Sequence, residues 1–283
     1  MKEKQTALSQ KILNTTLPFL LEAGDLLRSV DRPHGGIAEK SGDANFVTTY
    51  DVAVQKLLLE KLGEAFPNAI FFAEEKENGR LTDALTFIID PIDGTTNFIR
   101  GLRHSCISVG VCEGGEPLCG MIYHPYADLL YYAVREGGAY RADAPRTHGL
   151  SKTQRLILPD TPLSETLAVI GTDPYHKSTT ANTTLRAAKL LLEHALDFRR
   201  SGSAALDLAY VASGCYGIYY ENCVSPWDYA AGRLIVCEAG GVVTRADGSE
   251  MPTCEVTTIL AGAPTACKEF LALMKREDNP SEK

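Results

Sequence analysis

The residues with the clearest chemical potential lie in one stretch, residues 86–98, TFIIDPIDGTTNF. It opens on an apolar, β-branched run that reads as a buried strand, ends that run at Asp90, and sets a second carboxylate at Asp93. Pro91 biases Asp90 toward extended geometry. Gly94 permits a backbone turn that a side chain would oppose. Thr95 and Thr96 stand where a helix can begin, with hydroxyls and free N–H groups facing outward. Two carboxylates, a turn and an anion-ready helix start point to a site for a metal and a phosphate. Further acids close other elements: Glu74 and Glu75 after the apolar run 69–73, Glu221 after a strand over 217–220, and Asp228 at the opening of a helix that starts at Pro226. No histidine or cysteine falls among them. An all-oxygen donor set selects hard cations, Mg²⁺ first, with Mn²⁺ admissible and Zn²⁺ disfavoured. Such ions hold a phosphate oxygen, stabilise a leaving oxygen and lower the pKa of an attacking water.

Each residue also has a structural use. Asp-Pro and Asp-Gly pairs are ordinary turn chemistry, and Asp228 and Ser203 are placed to cap helices. Asp51 falls in the first turn of a helix opened by Thr48 or Thr49, where spacing alone favours a role in offsetting the helix dipole. Trp227 reads as a packing residue, and His104, His124, His148, His176 and His194 show no ligand spacing. The acid pair loosely resembles that of haloacid-dehalogenase-type phosphatases, in which an aspartate attacks phosphorus. That family separates its acids by one residue and carries them on its first strand. Here Pro91 and Ile92 intervene, and a helical region and a strand come first.

The elements that must position these groups follow from periodicity. Apolar residues from Leu8 to Leu27 predict an amphipathic helix over residues 5–30, kinked or broken near Pro18. A second helix follows Thr48, with Val52, Leu57, Leu58 and Leu62 on its apolar face. Strands are expected over 69–73, 86–89, 105–112, 120–123, 129–134, 166–171, 217–220 and 256–261. Helices are expected over 183–196, 204–214, 226–239 and 265–274, with a disordered tail, EDNPSEK. The polar segment 141–152, with Pro145 and Gly149, is the expected boundary. It separates an α+β half, 1–145, that carries the metal-site motifs from an α/β half, 146–283, that completes the site with Asp228.

A chain of 283 residues, 45% hydrophobic and 23% charged, suits a soluble globular protein with a sizeable core. The net charge of −8, with no dense Lys/Arg block, argues against a nucleic-acid surface. A negative protein that takes an anionic substrate needs local positive charge, and bound cations supply it. The eight cysteines form no CxxC pair and sit mostly in apolar runs, which fits a reducing compartment and disfavours a zinc site. The N-terminal MKEKQTALSQ lacks signal-peptide features, and no apolar run approaches a membrane span. A cytoplasmic location is expected.

Four segments together resemble the ordered signatures of the inositol monophosphatase family: AEE at 73–75, DPIDGTTNF at 90–98, RRSGSAALDLAYVASG at 199–214 and PWDYAAGRLIVCEAGG at 226–241. The likeness runs over residues 40–262. It implies a layered α-β-α-β-α sandwich of the inositol monophosphatase and sugar phosphatase type. It further implies Mg²⁺-dependent hydrolysis of a phosphate monoester by activated water, with two or three ions per site, lithium sensitivity and a homodimer. By motif position, Glu74, Asp90, Asp93, Asp228 and the carbonyl of Ile92 are implied metal ligands. Thr95 is implied to orient the water with Asp51, from the family's VTxxD pattern, as its partner. Gly94 and Thr95 are implied to hold the phosphate. Gly202, Ser203, Ala204 and Glu221 line the alcohol pocket in this reading, and Lys40 matches a loop lysine near the site.

The sequence departs from the pattern at Ala73, where a glycine is common, and in the segment 75–90, which is shorter than in animal members. Residues 141–152 stray from the family's usual NG-containing turn. Thr96 stands where related nucleotide 3′-phosphatases and histidinol-phosphatases carry lysine, which favours myo-inositol 1-phosphate as substrate. Fructose 1,6-bisphosphate, and a catalytically weak binding protein of the same fold, stay open as alternatives.

Overall fold

The computed structural model describes residues 2–33, 35–40, 45–79 and 82–278; Gly42 in the loop after Lys40 and the tail 279–283 lie outside them. The chain begins with α1 (Lys2–Arg28), a small antiparallel pair, β1 (Ile37–Glu39) and β2 (Phe46–Thr48), and α2 (Thr49–Ala65). A seven-stranded sheet follows in chain order: β3 (Ile70–Ala73), β4 (Thr86–Asp93), β5 (Cys106–Glu113), β6 (Glu116–His124), β7 (Leu129–Val134), β8 (Gly138–Asp143) and β9 (Thr153–Arg155). The short helices α3 (Thr95–Arg100) and α4 (Pro145–His148) interrupt it. Strands β3 and β4 are parallel, and every later neighbour is antiparallel.

The second sheet is built from β10 (Leu167–Ile170), β11 (Asp197–Arg199), β12 (Ile218–Val224), β13 (Val242–Thr244) and β14 (Thr257–Gly262), ordered β11-β10-β12-β14-β13. Its connections carry α5 (Lys177–His194), α6 (Ala204–Ala212) and α7 (Pro226–Glu238), and α8 (Pro264–Asp278) closes the chain.

Alternation of side chains along the strands divides the core into layers. Ile12, Leu20, Leu58 and Leu62 of α1 and α2 pack on Phe87, Ile89, Val109 and Met121 of the first sheet. The opposite face, through Ile122 and Tyr131, packs on Leu206, Tyr229 and Ile235 of α6 and α7, which also meet Tyr219 and Ile259 of the second sheet. The outer face of that sheet, with Ile218, Tyr220 and Leu260, is covered by Leu190, Leu191 and Phe270 of α5 and α8. The result is the α-β-α-β-α sandwich, with α6 and α7 as its central layer. No helix among the described residues is long and apolar enough to cross a membrane.

Several elements differ from their sequence reading. Helix α1 runs through Pro18 as one element. Proline there removes one backbone bond, while Leu13, Leu17 and Leu20 on the buried face hold both halves to the sheet. In α2, Val52 is exposed and Val54 is buried, because a capping box between Thr48 and Asp51 turns Asp51 inward. Residues 51, 54, 55, 58 and 62 then form the buried face. Helix α5 starts at Lys177, in a polar stretch with no apolar period to announce it. The first sheet continues past the polar segment 141–152 to Arg155, and strands of three residues such as β9, β11 and β13 are too short to show alternation.

Candidate active site

Asp90 and Asp93 come together because β4 carries a bulge. In a regular strand, residues three apart point to opposite faces. Asp90 pairs with Ser108 and Asp93 with Cys106, so three steps on β4 match two on β5. The extra residue puts both carboxylates on one face. The expected end of the strand at Asp90 is therefore replaced by a strand that runs on to Asp93. Gly94 then turns the chain with φ of 87°, a left-handed geometry that costs a residue with a Cβ, and α3 begins at Thr95.

Asp228 arrives from the central layer. It is the third residue of α7 and closes a capping box there, with Ser225 N–H donating to its Oδ2 at 2.6 Å. The helix lies close on the first sheet because Gly110 and Gly120 leave room for the backbone of Ala230 and Ala231. Ser108 Oγ donates to the Trp227 carbonyl at 3.2 Å, which ties the helix start to β5. Carboxylate oxygens of Asp90, Asp93 and Asp228 thereby lie within 4.8 Å of one another.

These carboxylates also accept hydrogen bonds from nearby backbone and side-chain donors. Asp90 Oδ1 accepts from Ile92 N–H at 2.9 Å. Asp93 Oδ2 accepts from the Ser203 hydroxyl and from Ala205 N–H at 2.8 Å, so the start of α6 fixes its orientation from more than a hundred residues away. Ser203 is buried, and its hydroxyl is spent on Asp93. Glu74, beyond the end of β3, pairs with Lys40 at 2.9 Å, and the same ammonium contacts Glu75.

Thr95 sits beside this cluster. Its Oγ1 lies 3.0 Å from the Ile92 carbonyl and 3.3 Å from Asp51 Oδ1. Asp51 Oδ2 meanwhile accepts from Thr48 N–H at 2.7 Å and from the Thr48 hydroxyl. One carboxylate serves both readings: one oxygen caps α2, and the other faces Thr95.

Glu221, on β12, accepts from Asp173 N–H at 2.9 Å and from the Tyr219 hydroxyl. Lys40, Glu74, Asp90, Ile92, Asp93, Gly94, Thr95, Gly202, Ser203, Ala204, Glu221 and Asp228 all line one cavity of about 490 Å³. Asp51 stands behind Thr95. The cavity also takes in residues that sequence reasoning passed over: Asp173, Tyr175, His176, Arg200, Asp207 and Cys223. Of these, only Asp207 carried a local signal, as an acid inside the apolar helix AALDLAYVA.

The electrostatics are set by burial. Asp90 and Asp228 are pushed well above the usual carboxylate range, first by loss of water and then by the charges of Glu74 and Asp93. Burial raises Asp93 despite its donors, and raises Glu74 against the pull of Lys40. Burial also lifts Asp51 to about 6 and Glu221 to about 7. Burial works against the Lys40 ammonium, but Glu74 and Glu75 outweigh it and hold its pKa up. Acids this close and this dry are stable only when protonated or met by cations. The oxygen-only donor set fits Mg²⁺.

A sequence model of the inositol monophosphatase family matches residues 9–278. Nus factor SuhB of Escherichia coli K12 is 34% identical over 270 residues, which cover 94% of this chain and 96% of that protein. An inositol-1-monophosphatase of Rhizobium meliloti is 34% identical over 271 residues, with the same coverage of each. The solved structure of an IMPase from Thermotoga maritima matches with a TM-score of 0.82 at 27% identity, covering 94% of this chain and 97% of that one.

Proposed function

Because the chain belongs to the inositol monophosphatase family, we propose that it is a Mg²⁺-dependent phosphate monoester hydrolase, with myo-inositol 1-phosphate as its foremost substrate. The observation that carries this reading is the meeting of Asp90, Asp93 and Asp228 within 4.8 Å beside a threonine hydroxyl backed by a buried aspartate. When bound, Mg²⁺ supplies the positive charge that holds phosphate oxygens, acidifies the attacking water and offsets charge on the leaving alkoxide.

The chain's own residues do the rest. Glu74, Asp90, Asp93, Asp228 and the Ile92 carbonyl hold the ions. Thr95 Oγ1 orients the water, and Asp51 Oδ1 takes up the proton through that hydroxyl. An acid raised to about 6 is close enough to neutrality to serve as a base. The N–H groups of Gly94 and Thr95 face the phosphate, and Lys40 holds the loop against Glu74. Gly202, Ser203 and Ala204 shape the alcohol end, where Glu221 accepts substrate hydroxyls. Water, not a side chain, attacks phosphorus, so no covalent phosphoenzyme forms.

Phosphate release from inositol 1-phosphate, fructose 1,6-bisphosphate, histidinol phosphate and a nucleotide bisphosphate, with and without chelator, tests the reading. Chelator-sensitive release that is fastest on inositol 1-phosphate supports it; no release from any monoester by folded, Mg²⁺-loaded protein overturns it. The second outcome would favour a binding role, the alternative raised by the name of the Escherichia coli relative, Nus factor SuhB. The proposal includes the homodimer, lithium sensitivity and cytoplasmic location implied by the resemblance. Light scattering, inhibition assays and cell fractionation read these.

A further inference from the structure

A second donor set opens onto the same cavity. Asp173, His176 and Cys223 each offer one ligand atom, and the three atoms lie within 4.8 Å of one another. Asp173 and His176 come from the loop between β10 and α5, and Cys223 from β12. Parallel pairing of β10 with β12 brings the loop and the strand together.

Asp173 is the anchor. It is 2% exposed, and its N–H is fixed on Glu221 Oε1. Its Oδ1 lies 2.8 Å from His176 Nδ1, while its Oδ2 is buried without a hydrogen-bond partner among the described residues. A dry carboxylate oxygen with no donor is uncommon and calls for a cation or an ordered water.

The donor types separate this cluster from the acid set. One carboxylate, one imidazole and one thiol suit a borderline or soft ion and suit Mg²⁺ poorly. Tetrahedral zinc bonds of about 2.0–2.3 Å imply donor separations of about 3.3–3.8 Å. The widest pair must therefore close by about 1.5 Å at most, and the Asp173–His176 contact at 2.8 Å must open slightly. The His176 side chain is 57% exposed and is free to make that adjustment.

We propose that Asp173, His176 and Cys223 form a binding site for a divalent cation of the zinc class, with its open coordination position facing the substrate cavity. The ion would enter between Asp173 and His176 and take the place of their hydrogen bond. Because Asp173 also fixes Glu221, occupancy would crowd the alcohol end of the cavity and slow turnover. That consequence rests on the phosphatase reading; binding itself does not.

Chelator-stripped, reduced protein is titrated with Co²⁺ in excess Mg²⁺, which keeps the acid set occupied. The expected signal is a near-ultraviolet thiolate-to-cobalt charge-transfer band that Zn²⁺ abolishes on addition. Cys223→Ser removes the band. His176→Ala, at an exposed side chain and checked for an unchanged fold by far-UV circular dichroism, weakens Co²⁺ binding by ~10-fold or more, since even an outer-shell loss has that effect. Asp93→Asn keeps the band. A wild-type protein with no band overturns the proposal. So does a band that survives Cys223→Ser, which would mean an adventitious ion on other thiols, or unchanged affinity in His176→Ala, which would mean an adventitious ion held without the imidazole. The zinc concentration that halves turnover, normalised to each variant's own zinc-free rate, should rise in His176→Ala by the factor seen for cobalt. Absence of turnover under every condition would count against the phosphatase reading and leave the spectroscopic test intact.

Discussion

Two donor sets share one cavity and differ in almost every other respect. The set around Asp90, Asp93 and Asp228 is all oxygen, buried or half-buried on the first sheet and the central helix layer, and raised in pKa first by loss of water and then by its own crowding. The set of Asp173, His176 and Cys223 mixes oxygen, nitrogen and sulfur and lies on the second sheet. The first is held by a bulge in β4, the capping box of α7 and the tie from the start of α6 to Asp93. The second exists because β10 and β12, neighbours in one sheet, pair in parallel and bring a loop to a strand. Hardness of donors, more than proximity, separates what each can bind.

The sharpest way to break the contrast is Asp93→Asn. The amide still accepts from Ser203 and Ala205 through its oxygen, so the fold should persist, while a charge that holds the hard cation is lost. Turnover in Mg²⁺ should fall by about 10³-fold, about 4 kcal/mol of transition-state stabilisation. Far-UV circular dichroism should be unchanged. Turnover within tenfold of wild type would remove Asp93 from the metal set.

What the sequence made legible follows the same divide. Asp90, Asp93 and Gly94 were readable because strand, turn and helix start are contiguous, and Asp228 because Pro226 marks a helix opening. The bulge that turns both carboxylates to one face left no mark in a single strand's pattern. The tie from Ser203 to Asp93 and the grouping of Asp173, His176 and Cys223 depend on contacts between distant segments, which no local period encodes. The longer strands and helices were legible from alternation and helix spacing and their layering from the family resemblance, while three-residue strands and the polar start of α5 were not.

Thr95→Ala separates ion holding from water activation within the acid set. Cation affinity should stay within a few-fold by calorimetry, while kcat falls by ~10²-fold, the lower range for loss of a proton-transfer group. Thr95→Ser should restore most of the rate, and Asp51→Asn should resemble the alanine variant. Equal loss of cation binding in Thr95→Ala would make Thr95 a ligand-positioning residue and refute the division.

Burial of the acids beside the oxygen set also gives a stability signature. Folded pKa values of Asp51 and Glu221, about 6 and about 7, lie above their ordinary 3.8 and 4.5, so between those values the folded chain binds more protons than the unfolded one. Stability from these groups is therefore greatest in acid and is lost as pH rises through 6 and 7. Half-buried His104 and buried His124 act oppositely. Desolvation lowers both, His124 to about 4, so their contribution is lost in acid and is complete above 6.5. Between pH 6.5 and 8 only the carboxylate slope remains. Chelated protein should lose about 1 kcal/mol there, ~2–4 °C in Tm. A melting temperature that rises with pH in chelator would contradict the raised pKa values of these buried acids.

The smallest kinetic effect belongs to the residue that joins the two sets. Glu221 accepts from Asp173 on one side and opens to the cavity on the other. In the proposed reaction it accepts hydroxyls of the alcohol and touches no reacting atom. Glu221→Gln weakens that acceptance by roughly one charged hydrogen bond, about 1.5 kcal/mol, so KM for inositol 1-phosphate should rise by ~10-fold with kcat little changed. A monoester without hydroxyls, such as p-nitrophenyl phosphate, should show no change in KM. Because the Glu221 carboxylate is half protonated near pH 7, KM for the polyol should fall as pH rises through that value in the wild type and stay flat in the variant. Equal effects on both substrates would place Glu221 with the phosphate-holding groups and erase the seam between the two donor sets.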